Sequence, residues 1–137
     1  MANQNKLSLV SLRNAVDSLG VALEAAKAKP ADLFIRDASI QRFEYTYELC
    51  HKMLKRYLEM TEPNIEEIDQ MQFAQLIRTG SEKGLLLNGW DVWTKYRYAR
   101  NLTSHTYNEA KAKEVTQVIP EFFKDAKFLL EKLNERN

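Results

Sequence analysis

The chain has 137 residues and a formal net charge of +1, from 20 Lys and Arg against 19 Asp and Glu. A chain of this length can bury a hydrophobic core without disulfides or metals, so we expect residues 1–137 to form a single domain. Its 4 Gly and 3 Pro are too few for the many tight turns of a β-sandwich or barrel, which favours helices. The near-neutral balance excludes a polycation that coats nucleic acid with its whole surface.

The cysteine and histidine content excludes several kinds of site. The single cysteine, Cys50, rules out an internal disulfide and a cysteine-based zinc site, and fits a reducing compartment. The 2 His argue against a multi-histidine metal site. No apolar run is long enough to span a bilayer, and Met1 to Lys6 does not lead into the apolar stretch of a signal peptide. We therefore expect a cytoplasmic protein with no metal, no cofactor and no membrane contact.

Hydrophobic periodicity predicts two long helices in the first half of the chain. Apolar residues recur every three or four positions from about Leu7 to Lys27, and Pro30 follows as a stop. The same pattern runs from about Asp37 to Glu59, where charged residues occupy another side. Glu44 and Glu48 belong to that charged side. Such residues usually form a solvated face, although either could reach across the bundle to orient a histidine or Arg100.

The second half of the chain predicts three shorter or interrupted helices. A weaker helical stretch passes through Met71 to Ile77, and a short aromatic-rich helix starts near residues 88–91. The last helix begins at Asn108, a good N-cap residue, and contains Pro120, where we expect a kink. Nothing alternates with the period of a strand. The predicted fold is an all-α, antiparallel, four- to five-helix up-and-down bundle.

The short fourth helix carries more large apolar groups than one face can hold. At about 100° per residue they cover far more than one stripe, so some are expected to face outward. Exposed aromatic residues predict a partner surface, which here favours a homodimer. The alternative is that these side chains complete the core with their polar ends in water. The residues concerned are Trp90, Val92, Trp93, Tyr96 and Tyr98.

The candidate chemistry lies in Arg100 to Tyr107, which reads R-N-L-T-S-H-T-Y. This segment combines a permanent cation, a side chain that titrates near neutral pH and a phenol. The interval from Trp93 to Tyr107 contains no carboxylate, and Lys95 and Arg97 add positive charge as candidate substrate-binding residues. Local positive charge of this kind suits a phosphate-bearing ligand such as RNA or a nucleotide.

Cleavage of RNA without metal needs little beyond these groups. His105 can take a proton from a 2′-hydroxyl or give one to the leaving oxygen, while Arg100 stabilises charge gathering on phosphorus. On one straight helix these side chains would lie about 140° apart. Either the helix ends between them, which Thr103 and Ser104 favour, or a second copy of the chain completes the site. We expect both.

Each candidate residue also has a structural interpretation. Arg100 could stack on an aromatic ring one or two turns earlier, and His105 could cap the last helical carbonyls. Tyr107 could pack back on the start of the next helix. His51, at the border of two faces, is expected to be structural, since no second ligand or acid accompanies it. Cys50 is expected to be a buried small hydrophobe.

Two segments resemble one known family. The stretch from Ile40 to Leu49, followed by Lys52, Leu54, Lys55 and Tyr57 to Glu59, resembles the second helix of the nucleotidyltransferase substrate-binding family. That family is part of the HEPN superfamily (higher eukaryotes and prokaryotes nucleotide-binding). Arg100 to Tyr107 is similar to the R-x-x-x-x-H-x-Y motif of its HepT-type toxins. The resemblance covers nearly the whole chain.

The resemblance implies a helical homodimer in which the motifs of two protomers meet in a cleft. In HepT-type members that cleft is a metal-independent RNase, the toxin of a pair whose antitoxin is a separately encoded minimal nucleotidyltransferase. By carry-over, Arg100 and His105 would be catalytic and Asn101 would support them. Tyr107 would receive AMP from the nucleotidyltransferase, which silences the cleft.

The older name of the family implies an alternative, a non-catalytic subunit that binds nucleotide or substrate for the nucleotidyltransferase. A plain helical adaptor is a third option. The sequence departs from the family pattern mainly around Glu62 to Gly84, where Ile65 to Gln72 differ from the expected segment, and at His51, where a large aromatic residue is expected. Those departures bear on the choice of partner more than on the cleft.

Overall fold

A computed structural model describes residues 6–137 and shows helices with no strand in that range. This confirms the all-α prediction. The helices, in chain order, are α1 (Val10–Ala28), α2 (Leu33–Thr61), α3 (Ile65–Gln70), α4 (Phe73–Glu82), α5 (Trp90–Leu102) and α6 (Glu109–Arg136), with one 3-10 turn over Thr103–His105. Short connections separate them, so neighbouring helices lie side by side around one hydrophobic cluster.

The second helix is longer than the hydrophobic pattern predicted. It begins at Leu33 because Asp32 acts as its N-cap, where Oδ1 accepts hydrogen bonds from the backbone N–H groups of Phe34 and Ile35 at 2.9 and 3.1 Å. Leu33 and Phe34 are exposed, so the first turn contributes no apolar stripe. Periodicity therefore placed the helix start too late.

The segment that departed from the family pattern also forms a helix. Asn64 caps α3 through a hydrogen bond from the N–H of Glu67 at 3.2 Å, and Ile68 turns into the core. The stretch predicted through Met71 to Ile77 forms α4, which begins at Phe73. α3 was missed because six residues cannot display a helical repeat.

The aromatic residues of α5 lie mostly in the core, which corrects the predicted partner surface. Trp93 and Tyr96 are buried, Trp90 is half-buried, and only Tyr98 among the aromatic residues of this helix is exposed. The Trp93 ring packs edge-on against Tyr96 and Phe122, with ring centroids 5.1 and 5.9 Å away. The alternative, that these side chains complete the core, is confirmed for Trp93 and Tyr96, although their polar ends are buried and do not reach water.

α6 begins where the sequence predicted. Asn108 is its N-cap and accepts a hydrogen bond from the N–H of Lys111 at 3.2 Å. Arg36 of α2 donates to Glu109 at 2.8 Å, and this hydrogen bond lowers the pKa of the Glu109 carboxyl. The start of α6 is thereby held beside the start of α2. The helix continues through Pro120, which lies on its exposed side.

A buried carboxylate joins α6 to the start of α5. Asp125 has no exposed surface and accepts hydrogen bonds from the backbone N–H and the side-chain amide of Asn88, at 3.1 and 2.9 Å, and from the Tyr96 hydroxyl. Burial raises the pKa of Asp125 and also that of Tyr96. A buried charge is tolerated only with such partners, so this network fixes how α5 lies on α6.

We expect Tyr96→Phe to lower the free energy of unfolding by about 1–2 kcal/mol, because Asp125 loses one of its donors in a buried site. Urea unfolding at neutral pH measures the change. The matched control is Tyr98→Phe on the same helix, whose exposed hydroxyl should matter by less than about 0.5 kcal/mol. Equal effects of the two substitutions would contradict the role given to Asp125.

Candidate functional site

The helix predicted to break between Arg100 and His105 does break. α5 ends at Leu102, and the chain tightens into the 3-10 turn over Thr103–His105 before the cap of α6. The Thr103 hydroxyl lies 2.8 Å from the Arg100 carbonyl, so it competes for a backbone acceptor at the helix end. Arg100 and His105 therefore do not lie on one straight α-helix, and the angle of about 140° between their side chains, which holds for such a helix, does not describe them.

Arg100 is held by an acidic residue of α2. Its Nε donates a hydrogen bond to Oε1 of Glu48 at 2.6 Å. Within residues 6–137 the terminal guanidinium nitrogens make no hydrogen bond, and the cation–π contacts involve lysines instead. The stacking interpretation of Arg100 is therefore wrong. Of the two interpretations of Glu48, a solvated face or a contact across the bundle, the structure shows the contact.

A second acidic residue of α2 contacts the 3-10 turn. The Thr103 hydroxyl is hydrogen bonded to Oε2 of Glu44 as well as to the Arg100 carbonyl. A hydroxyl has one proton, so these two acceptors share it. Glu44 and Glu48 are four residues apart, and their side chains lie one above the other along α2. One face of α2 thus contacts the end of α5 through Glu48 and the following 3-10 turn through Glu44.

His105 and Tyr107 are both exposed, and their ring centroids lie 6.4 Å apart. Within the described residues the His105 imidazole makes no hydrogen bond, while its backbone carbonyl accepts from the N–H of Asn108 at 3.1 Å. The capping interpretation of this histidine is therefore wrong. Tyr107 is 88% exposed and does not pack on α6 as a hydrophobic residue at this position would. Both groups are open to a ligand or an enzyme.

The remaining predicted site residues are exposed on α5. Arg97 lies about 60° around the helix from Arg100, whereas Lys95 lies about 140° away. Asn101 follows Arg100 on the exposed surface. Within one copy of the chain, Arg97 is therefore better placed than Lys95 to face a ligand held by Arg100.

His51 and Cys50 behave as the structural residues expected. The His51 ring packs edge-on against Phe73, with centroids 4.6 Å apart, and burial lowers the pKa of its imidazole. Cys50 is a buried free thiol whose pKa is raised by burial. Neither group reaches the Arg100 segment through a hydrogen bond in residues 6–137.

An open groove of about 530 Å³ lies on α2 beside the site. It is continuous with the contacts to α5, because both glutamates that reach across the bundle line it. Its lining residues are Glu44, Tyr45, Glu48, Leu49, His51, Lys52 and Lys55.

Residues 6–137 contain neither a membrane-spanning helix nor a group of side chains that could bind a metal ion. No helix there is both long and apolar enough to cross a membrane. No three His, Cys, Asp or Glu side chains in the same range come together as metal ligands.

The family model described as "Nucleotidyltransferase substrate binding protein like" matches residues 7–135. The chain belongs to this family. A relative from Haemophilus influenzae, named probable ribonuclease HepT, is 40% identical over 99 residues, which cover 72% of this chain and 67% of the relative.

Two solved structures are similar over most of the chain. A Haemophilus influenzae protein, reported as the fold of a substrate binding domain of a nucleotidyltransferase, is 32% identical with a TM-score of 0.86, covering 93% of this chain and 99% of the other. A Thermus thermophilus protein is also 32% identical, with a TM-score of 0.69 and coverage of 87% and 98%.

Sequence reasoning missed two parts of this arrangement. The contact of Thr103 with Glu44 joins residues far apart in the chain, and no local pattern predicts it. Asp125, by contrast, left a signal, since it lies between Phe122 and Ala126 in the apolar pattern of α6. An acidic residue on a core face predicts a buried partner, here the Tyr96 hydroxyl.

Because burial lowers the pKa of His51 below the ordinary value of 6.5, the unfolded chain takes up a proton first as the pH falls. The contribution of His51 to the free energy of unfolding should therefore decrease from about pH 7 toward pH 5. We expect His51→Phe, which cannot titrate and packs on Phe73, to reduce that decrease. Urea unfolding at several pH values measures it. His51→Gln should reduce the slope as well while losing stability, and unchanged slopes in both variants would contradict the assignment.

Proposed function

We propose that this chain is a metal-independent endoribonuclease of the HepT type, which acts as a homodimer and is silenced when a nucleotidyltransferase partner attaches AMP to Tyr107. The proposal extends the similarity to a relative named probable ribonuclease HepT. In a toxin–antitoxin pair, the nucleotidyltransferase would be the antitoxin.

The observation that carries the proposal is which nitrogen atoms of Arg100 and His105 are hydrogen bonded and which are available to a ligand. Arg100 is fixed through Nε, which leaves its terminal nitrogens available for phosphate oxygens. His105 is exposed and has no hydrogen bond in residues 6–137, so its imidazole can exchange protons with a substrate. If Arg100 and His105 had only a structural role, we would expect the terminal nitrogens of the arginine and the imidazole of the histidine to form hydrogen bonds within the protein.

In the proposed reaction, His105 takes the proton of a ribose 2′-hydroxyl as the 2′-oxygen attacks phosphorus. The bond from phosphorus to the 5′-oxygen breaks, and an imidazole of the second copy returns a proton to that oxygen. The products are a 2′,3′-cyclic phosphate and a free 5′-hydroxyl. Arg100 stabilises the negative charge on the phosphoryl oxygens, with Asn101, Lys95 and Arg97 as candidate contacts to the rest of the RNA.

The proposed silencing step uses the exposed phenol of Tyr107. Its oxygen attacks the α-phosphate of ATP, pyrophosphate leaves, and the phenolic proton passes to a base of the nucleotidyltransferase. The product carries a bulky anion near His105, because the two rings lie 6.4 Å apart. Such a group would block the cleft sterically and repel the phosphates of RNA.

A second candidate function is a non-catalytic subunit that binds nucleotide or substrate for a nucleotidyltransferase. Similarity to a structure reported as a substrate binding domain favours it. The same Arg100 segment would bind the ligand, but no bond would be cleaved.

We expect Arg100→Ala and His105→Ala each to lower kcat/KM for cleavage of single-stranded RNA by about 100-fold or more. The assay contains a chelator, since the proposed reaction needs no metal. The matched control for the arginine is Arg78→Ala, an exposed arginine of α4 without an ion pair in residues 6–137, which should cleave like wild type.

Purified wild-type protein that binds RNA but never cleaves it would contradict the ribonuclease and favour the second candidate. The homodimer is tested separately by light scattering. A species of about 16.0 kDa, the mass of one chain, at assay concentrations would contradict it.

We expect incubation with the partner nucleotidyltransferase and ATP to add AMP to Tyr107 and to abolish cleavage. Intact mass spectrometry measures the adduct. Tyr107→Phe should remain unmodified and active, while the control Tyr98→Phe, which removes the other strongly exposed tyrosine hydroxyl, should be modified like wild type. Modification that persists in Tyr107→Phe would reject this assignment.

A further inference from the structure

We propose that Glu44 and Glu48 of α2 are positioning residues for the Arg100 and His105 motif, holding its arginine and its helix end in place for a phosphate ligand. This inference rests on the proposed function and adds to it residues that lie outside the motif and far from it in sequence. Each carboxylate contacts one part of the motif segment.

The contact of Glu48 sets the orientation of the guanidinium. By accepting from Nε at 2.6 Å, Glu48 fixes one edge of the planar group and leaves the terminal nitrogens without a hydrogen bond in residues 6–137. An unrestrained arginine side chain samples many rotamers, so a fixed edge lowers the entropy lost when a phosphate binds. Glu48 thus prepares Arg100 for a ligand rather than occupying the edge that a ligand would use.

The contact of Glu44 sets the place where the helix ends. Its carboxylate binds the Thr103 hydroxyl at the first residue of the 3-10 turn, and that hydroxyl also lies 2.8 Å from the Arg100 carbonyl. His105 is the last residue of the same turn. A change in the Thr103 contact would therefore move the imidazole relative to Arg100.

A positioning role and a simple charge effect predict opposite results. A carboxylate near a phosphate site repels RNA, so its removal should by itself tighten binding and lower KM. If the carboxylate positions Arg100, its removal should lower kcat even when KM is unchanged or lower, because misplaced groups stabilise the transition state less. The Arg100 side chain is 32% exposed and that of Glu48 is 53% exposed, so their ion pair adds little to stability and the variants should fold.

The experiment compares substitutions at Glu48 by steady-state cleavage of RNA. We expect Glu48→Ala to lower kcat by about tenfold with KM unchanged or reduced. Glu48→Gln, which keeps the length and a neutral acceptor, should lose less. Glu48→Asp keeps the charge but is too short, and should lose about as much as Glu48→Ala. Wild-type kcat in Glu48→Asp or in Glu48→Ala would overturn the proposal.

The control for charge is Glu114→Ala, an exposed glutamate of α6 without an ion pair in residues 6–137, which should leave kcat unchanged. For the other contact, Glu44→Ala and Thr103→Val should each lower kcat, and the double variant should lose no more than the stronger single one. Fully additive losses would show that the two residues act separately, against the proposal.

The role of Glu48 can be tested even if the protein is not a ribonuclease. If wild-type protein does not cleave RNA, ATP serves as the probe, and the Nε–H resonance of Arg100, assigned by its loss in Arg100→Lys, reports the contact by NMR. Positioning predicts that Glu48→Ala shifts this resonance and weakens ATP binding several-fold. An unchanged resonance, or tighter ATP binding, would overturn the role of Glu48 whichever function the protein has.

Discussion

The buried carboxylate of Asp125 is the constraint on which the arrangement of the helices depends. A group with no exposed surface must find its donors inside the protein, and Asp125 takes them from Asn88 and Tyr96. This places the start of α5 on α6. Its far end is fixed by α2, through Glu44 and Glu48. A short helix held at both ends can present its last residues in one orientation.

The candidate site occupies the end of that helix, and this position explains its combination of order and exposure. Arg100 lies within α5 and has a fixed partner, whereas His105 and Tyr107 come after the helix and point to solvent. An anchored cation next to open titratable and nucleophilic groups is a suitable arrangement for handling phosphates, since the cation binds while the others exchange protons or accept a group. The acidic residues that provide the anchor come from another helix.

Two of the sequence predictions that were wrong, the exposed aromatic surface of α5 and the start of α2, have clear physical causes. Some of the large residues of α5 were expected to form an exposed surface because they cover more than one stripe of the helix, but among its aromatic residues only Tyr98 is exposed. Trp93 and Tyr96 are buried because α5 is surrounded by other helices, with Phe122 of α6 against both rings. The start of α2 was placed late because Asp32 caps a first turn that has no apolar pattern. Hydrophobic periodicity detects the buried face of a helix, but it does not detect a turn that is stabilised by capping alone.

The amino-acid sequence by itself determined the helical class, the approximate place of the long helices, the cap at Asn108, a helix end between Arg100 and His105, and the family. These are local properties, because periodicity, capping and motif spacing depend on residues close together in the chain. Only the tertiary structure decided which acidic residues face the motif and which aromatic residues are buried. Glu48 and Arg100 are 52 positions apart, and their contact exists because the folded core brings α5 against α2, where the rings of Tyr47 and Trp93 also pack together. Long-range contacts of this kind follow from how all helices fill the core together, which no single segment encodes.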